Sequence, residues 1–600
     1  MKKTLPALCV LSAIACGSAH GADTMVRALP VLPNVVVDVE TSVARNLPHA
    51  NQVNEDKLRV LATQVAWQRL LFMRDGVSTL DNPKFFLSEQ GYNDAYAELV
   101  ATYQAMMTGD KSVCRFPARV MWLADKLGLT ADFSSCDELN AWLSAHNAQK
   151  LSLVFSEENP NVLGSAFAHV LIKADTAQSM MSGDDKDAFA INYTVARQKD
   201  DGEAAASVKS VVGGYAGVME FFDYADKRDV YLVEDKRDMW EYGLDLTTDE
   251  VAQIMRHIWE VKDMARAYYF THDNCATEIL RLIDVVRPDE NLQAKSGKIT
   301  IPSEITRLLV AENVATTRHY LPSVASKAQA VLNAKAHAVP INHDVTSHDI
   351  TRYDDPSMAS PVHRFGAGGG VSNDRAYSSI AIRSAYHDVL DRQLGVRQYL
   401  DVSMLSADVK IDKDKLKIND LTVFSTRSYN PINSAKNNAT DDKAATAWGQ
   451  HLKLLQVTDA SDEHNDDHLV LHVGLEKGRS WVLGKGRVGT GDLPDTLCYL
   501  LGGGMGQVGK INEGYRVGVA LNAGCIHHAS DNFRVQAELS VPYWYQGSQV
   551  QGRDSYFAPY ATLGMQYDLT SRDALRLTGQ VSKDNGDTGT DVRVQYLRYF

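Results

Sequence analysis

Apolar residues along this chain change their spacing more than once, and each change marks a different kind of structure. Residues from about 50 to 145 carry them three and four positions apart, as in "EDKLRVLATQVAWQRLLFM" and "DAYAELVATYQAMM". That spacing draws one apolar stripe along a helix. From about 150 to 235, short β-rich runs take over: "LSLVFSEE", "AFAHVLIKAD", "DAFAINYTVAR" and "DVYLVEDK" predict a sheet. Helical spacing returns in "LTTDEVAQIMRHIWEVKDMARAYYF", where Thr247 or Thr248 suits an N-cap. It returns again after Cys275, with Ile279, Leu282, Val285 and Val286 at helical positions.

Beyond the polar, unperiodic stretch "HDVTSHDITRYDDPSMASP" the period becomes two. Tyr515, Val517, Val519 and Leu521 share one face of a strand. Phe533, Val535, Ala537, Leu539 and Val541 share one face of the next, with Arg534, Gln536 and Glu538 opposite. Roughly ten to twelve such strands are expected, with no helical run between them. Two all-β architectures alternate in this way. A soluble sandwich turns its apolar face inward. An outer-membrane barrel turns it outward and adds aromatic girdles, for which Tyr543, Trp544, Tyr545, Tyr556 and Tyr560 are candidates. The chain closes on "DVRVQYLRYF", with Val592, Val594, Tyr596 and Phe600 on one face, which resembles the terminal sorting strand of bacterial outer-membrane barrels. Arg598 falls on that face and would have to snorkel. The barrel is the favoured reading.

The expected organisation is a signal peptide over 1–21, a helical N-terminal region over 22–145, an α+β domain over 146–345, a linker over 346–360 and a C-terminal barrel over 361–600. At 600 residues the chain is too long for one ordinary domain. A net charge of −14 argues against a nucleic-acid partner, which would need a basic face. Lys2 and Lys3, the apolar "LPALCVLSAIACGSA" and the small residues around Ala19-His20-Gly21 form a secretory signal cleaved before Ala22. A rival reading lipidates Cys16, but "SAIAC" lacks the usual leucine three positions earlier. Beyond the signal no run of roughly 18 apolar residues predicts a transmembrane helix.

Export to an oxidising compartment changes the meaning of the cysteines. Two of the seven lie in the signal. Cys114 and Cys136 are placed to pair, and Cys498 and Cys525 either pair or pack. Cys275 is left over, and an odd thiol in an exported chain calls for a function. It opens a helix, where unpaired backbone N–H groups and the helix dipole favour a thiolate. His169, on a strand upstream, is the candidate base, and Asn192, on the next strand, the group that would orient it. N–H groups at the helix start are candidates for an oxyanion hole. Each residue alone has a plainer reading: a small buried cysteine, a structural histidine, an ordinary asparagine. The joint arrangement carries the argument. His272, three residues before Cys275, is a rival base. No metal-ligand spacing is present, no cofactor is expected, and "GAGGGVS" and "GGGMG" suit barrel bends or turns rather than a phosphate cradle.

The motifs "NPKFFLSEQGYNDAYAEL", "CRFPAR", "GSAFAHVLIK", "INYTVAR", "GGYAGVMEFFDY", "RDMWEYGLDLTTDE" and "DNCATEILRLIDVVRP" occur in this order over residues 45 to 345. Together they resemble the Lnb N-terminal periplasmic domain family. The resemblance implies a circularly permuted papain-like fold, related to NlpC-type peptidases and lecithin retinol acyltransferase. It also implies lipoprotein N-acyltransferase chemistry with an acyl-carrying cysteine. The family's serine-x-phenylalanine-glycine-histidine motif is matched by Ser165, Phe167 and His169, with Ala168 in place of glycine. "GGYAGVMEFFDYADKRD" is expected to supply a hairpin or loop near the cleft. Its Tyr215, Phe221, Phe222 and Tyr224 either line a lipid groove or pack in the core, and Arg237, Trp240 and Glu241 would orient that wall.

The fold class expected is therefore an α+β permuted papain-like domain with a helical N-terminal region, followed by a transmembrane antiparallel β-barrel. The expected function is a thiol acyltransferase at the outer membrane acting on a lipid or lipoprotein. Two alternatives stand beside it. One is a cysteine peptidase or amidase on peptidoglycan peptides, using the same residues. The other is a non-catalytic binding or assembly protein.

Overall fold

The computed structural model describes residues 55–600 except 81, 160–167, 197–208, 210–212, 337–354, 414, 435–445, 459–466, 485–494, 551–552 and 585–586. The signal peptide, its cleavage site and Cys16 lie outside the described residues, as do Ser165, Phe167 and most of the expected linker.

The N-terminal helices Glu55–Ala62, Val65–Leu70, Ala95–Thr108 and Pro117–Leu127 pack around Leu58, Trp67, Leu70, Leu99 and Leu123. A short hairpin, β1 (Met73–Arg74) and β2 (Val77–Ser78), separates the second helix from the third. A buried ion network ties this bundle to the next domain. Arg119 lies 2.7 Å from Glu98 and 3.2 Å from Glu260 of the helix Thr248–Val261. A charge so buried is tolerated only when paired. The expected Cys114–Cys136 disulfide is present and pins the helix Asp137–Ala145 to the bundle.

Seven antiparallel strands follow: β3 (Ala148–Ser156), β4 (His169–Thr176), β5 (Phe189–Val195), β6 (Tyr215–Asp223), β7 (Met239–Leu244), β8 (Arg266–Tyr268) and β9 (Ala315–Leu321). Their order in the sheet is β8-β6-β5-β4-β3-β7-β9. Both faces are covered, so the strands are apolar on both sides. Leu153, Val170, Ile172 and Ile191 face the helices Thr248–Val261 and Cys275–Val286. Val154, Leu171 and Ala190 face Tyr224 and Tyr231. One expected strand fails here. "DVYLVEDK" forms a π-helical turn over Val230–Glu234, continuing the helix Tyr224–Asp229. Its run of apolar residues is too short to separate a strand from a buried helical turn. The place in the sheet belongs to β7, paired on both sides. Of the hairpin or loop expected from "GGYAGVMEFFDY", the structure has the hairpin strand: β6 pairs antiparallel with β5, second from the β8 edge of the sheet.

Thirteen strands, β10 (Arg364–Ser372), β11 (Arg375–Ala385), β12 (Leu400–Asp412), β13 (Lys415–Ser428), β14 (Ala447–Thr458), β15 (Asp467–Leu483), β16 (Thr496–Gly509), β17 (Tyr515–Ser530), β18 (Phe533–Val550), β19 (Arg553–Phe557), β20 (Tyr560–Asp568), β21 (Asp573–Asp584) and β22 (Asp587–Tyr599), close on themselves. β10 pairs with β22 and β17 with β18, while β19 and β20 share β18 as one interrupted strand. The result is a closed antiparallel barrel of twelve strands. Its burial is inside out. Val519 is 60% and Leu521 52% exposed on the outer face, whereas Arg534 is 1% exposed and Gln566 fully buried within. That inversion distinguishes a membrane barrel from a soluble sandwich, and the protein is an outer-membrane barrel with a periplasmic domain. Among the described residues no helix is long and apolar enough to cross a membrane.

The girdle expectation is corrected in part. Tyr543, Tyr545, Phe557, Tyr567 and Tyr596 face outward, but Trp544 and Tyr556 point inward around Arg516. Three consecutive strand residues cannot share a face. Tyr560 turns to Ser540 on the inner side. Arg598 is held by Asp573 at 2.7 Å on the surface. Cys498 and Cys525 are opposite each other on β16 and β17 and form a disulfide. The glycine-rich runs lie within β10 and β16 rather than at turns.

Candidate functional site

The helix Cys275–Val286 starts where it does because Asn274 caps it. The Asn274 side chain accepts from the N–H groups of Ala276 at 2.9 Å and Thr277 at 3.2 Å, and Thr277 Oγ1 accepts from Asn274 N–H at 2.8 Å. Asn274 Nδ2 donates to the carbonyls of Phe270 and Thr300, both at 2.8 Å. The buried cap thus anchors the helix start to two neighbouring segments. Ionic contacts brace the same turn. Arg281 lies 2.7 Å from Asp273 and 3.2 Å from Glu278, and Arg266 on β8 joins both acids.

Cys275 is the one free cysteine among the described residues, and it is 4% exposed. Four donors surround its sulfur: the N–H groups of Val170, Cys275 and Ala276 and the hydroxyl of Tyr268. They favour a thiolate, but burial outweighs them and raises the thiol pKa. Tyr268 is itself fixed by stacking on Tyr193 at 5.9 Å. Gly217 makes room for Tyr193: a Cβ there would fall 2.1 Å from the Tyr193 hydroxyl.

His169 is the first residue of β4, and Asn192 lies on the adjacent β5. The structure brings these two together, with His169 Nε2 and Asn192 Oδ1 2.6 Å apart. An amide oxygen accepts, so the bond places the imidazole proton on Nε2 and leaves Nδ1 as the acceptor. Asn192 Nδ2 donates in turn to Glu220 on β6 at 3.2 Å. Burial lowers the His169 pKa to about 4, against the bond to Asn192; Arg237 and Lys227 push it the same way as burial. The imidazole is therefore neutral at neutral pH.

The thiol and imidazole reach β4 at adjacent residues. Cys275 sits against Val170, which faces the helices, while strand alternation turns His169 to the side of Leu171. Among the described residues no hydrogen bond joins sulfur to imidazole. His272 is exposed, stacks on Tyr269 and shares a 2.8 Å hydrogen bond with Thr271. The four aromatic candidates do not line one groove: Tyr215 and Tyr224 are buried, Phe221 packs on Trp142, and Phe222 is exposed. Arg237 donates to the Glu157 carbonyl, Trp240 packs on Tyr320 and Glu241 pairs with Lys173. Tyr268, Glu220 and Asn274 escaped the sequence reading. Asn274 had a signal, since an asparagine directly before a helical period is an N-cap. Tyr268 and Glu220 had none, because only the sheet order brings them to the site. No metal-binding cluster occurs among the described residues.

Residues 138–312 match the Lnb N-terminal periplasmic domain family, as the motifs implied. Residues 59–126 match a domain of unknown function, DUF7843, and residues 353–599 another, DUF7840. Among curated proteins no sequence match is found. Solved structures similar to the barrel include the NanC porin, at 10% identity, TM-score 0.24, covering 39% of this chain and 99% of that one. The KdgM porin is similar at 8% identity, TM-score 0.22, covering 40% and 99%. The outer membrane protein Omp33 of Acinetobacter baumannii is similar at 11% identity, TM-score 0.19, covering 40% and 100%. Strand closure and inside-out burial, not these likenesses, define the barrel.

Proposed function

We propose that this protein is a barrel-anchored periplasmic thiol enzyme that carries an acyl group on Cys275 and acts on a membrane lipid or lipoprotein. The observation that carries the reading is the free, capped helix-start cysteine against Val170, the strand neighbour of His169, which is bonded to Asn192. In the first step the Cys275 sulfur attacks an ester carbonyl carbon. His169 Nδ1 takes the thiol proton, and the negative charge on the carbonyl oxygen is met by N–H groups of the helix start and the Tyr268 hydroxyl. The ester C–O bond then breaks, and His169 returns the proton to the leaving oxygen. An amine, or water, attacks the thioester; the C–S bond breaks and the proton lost by the nucleophile returns to the thiol. Asn192 holds the imidazole in the tautomer this requires. Catalytic contacts commonly tighten only when substrate is bound, and the reading requires the His169 side chain, turned to the Leu171 side of β4, to swing to the sulfur.

The test is labelling of the detergent-solubilised protein with an activated acyl-ester probe. Label is expected on the wild type, lost in Cys275→Ala and sharply reduced in His169→Ala. A folded protein without Cys275-dependent label would move the account to muropeptide digestion, or to a binding module.

A further inference from the structure

The segment Tyr386–Tyr399 joins β11 to β12 on the barrel end that faces the periplasmic domain, and it does not simply cross the rim. Its first half folds into the barrel mouth. Asp388 accepts from Arg364 and Arg576, both at 2.7 Å, Asp391 pairs with Arg383 at 2.6 Å, and Arg534 donates to the Leu390 carbonyl at 2.8 Å. Its second half is latched to the periplasmic sheet. Arg397 lies 2.9 Å from Glu157 and donates to the Glu158 carbonyl at 2.6 Å, just past the end of β3. Gly395 makes the close turn between them, with φ +72° and a Cβ position 2.5 Å from the Ala359 nitrogen.

Tyr386 opens this segment with φ 67°. A bulky residue holds that conformation only where its surroundings impose it. Its ring is buried in an apolar cluster with Ile301, Val362 and Leu400, and Phe270 packs against the same cluster. Phe270 belongs to the short turn that the Asn274 cap ties down immediately before Cys275. Phe270 therefore links the Tyr386 cluster to the turn that leads into Cys275.

We propose that this barrel segment is the outer wall of the Cys275 site, and that Tyr386 is a specificity residue that limits which acyl chain reaches the thiol. The periplasmic domain is then complete only with its own barrel. The apolar character of the Tyr386 cluster selects a hydrocarbon chain over a polar peptide. The inference rests on the reading of Cys275 as an acyl-carrying thiol, but the wall itself is tested without acyl chemistry.

The full-length protein in detergent is alkylated at Cys275 with iodoacetamide and, separately, with a bulky aryl maleimide. Tyr386→Ala is expected to speed the bulky reaction about tenfold relative to the small one, the discrimination a pocket wall supplies, while Tyr386→Phe keeps the wild-type ratio. Arg397→Ala, which unlatches the segment, raises the ratio in the same direction and serves if Tyr386→Ala fails to fold. An unchanged ratio in folded Tyr386→Ala and Arg397→Ala, or an equal rise with both reagents, would overturn the wall. A raised ratio in a protein that never accepts an acyl probe would keep the wall and reject the acyl-enzyme reading.

Discussion

Burial lowers the His169 pKa to about 4 and raises that of Cys275, so the resting pair is a neutral imidazole and an intact thiol. The Tyr268 hydroxyl and three backbone N–H groups wait around the sulfur without ionising it. The lowered histidine has a consequence for stability. The unfolded chain binds a proton near pH 6.5, whereas the folded one resists until about pH 4. Stability is therefore untouched by His169 above pH 6.5 and is lost as pH falls through the window from 6.5 to about 4. His169→Gln is expected to remove this acid loss, so that urea denaturation at pH 7 and pH 4.5 shows a smaller difference in the variant than in the wild type. Equal differences would mean that His169 is not held neutral.

At the scale of elements, the site is made by one cap and one sheet order. Asn274→Ala is expected to cost about 1 kcal/mol for the lost cap. It costs more here, because the buried carbonyls of Phe270 and Thr300 lose their donor. Thermal unfolding of the periplasmic domain reads the loss, and Asn274→Asp should recover part of it, since it keeps the cap acceptor but not the amide donor. The helix Cys275–Val286 was legible in the sequence because Ile279, Leu282, Val285 and Val286 repeat at its period. The barrel strands were legible because alternation persists over many segments. "DVYLVEDK" was not, being too short for its period to decide. Trp544 and Tyr556 were misplaced by reading composition where alternation rules. His169 and Asn192 could be paired from adjacent strands, but Tyr268 and Glu220 reach the site through the pairings β6–β8 and β5–β6, which no local pattern encodes.

At the scale of the molecule, the barrel and the periplasmic domain are joined through side chains of both. Tyr242 donates to Asp355 at 2.7 Å, Arg318 pairs with Asp355 at 2.9 Å, and Glu304 accepts from Val362 N–H at 3.1 Å. The barrel mouth is filled by Asp388, Leu390 and Asp391 and their arginine partners, and Arg427 bridges Glu476 and Glu538 between strands far apart in the barrel. A barrel bridged in this way suits anchorage better than passage. An acyl-carrying thiol presented to the membrane would be seen by mass analysis of the Cys275 peptide. The full-length protein would be recovered from phospholipid vesicles bearing defined acyl chains. The expected result is a fatty-acyl mass on Cys275 that follows the vesicle lipid, is released by neutral hydroxylamine and disappears in His169→Ala. An unmodified Cys275 peptide from folded, vesicle-inserted protein would contradict it.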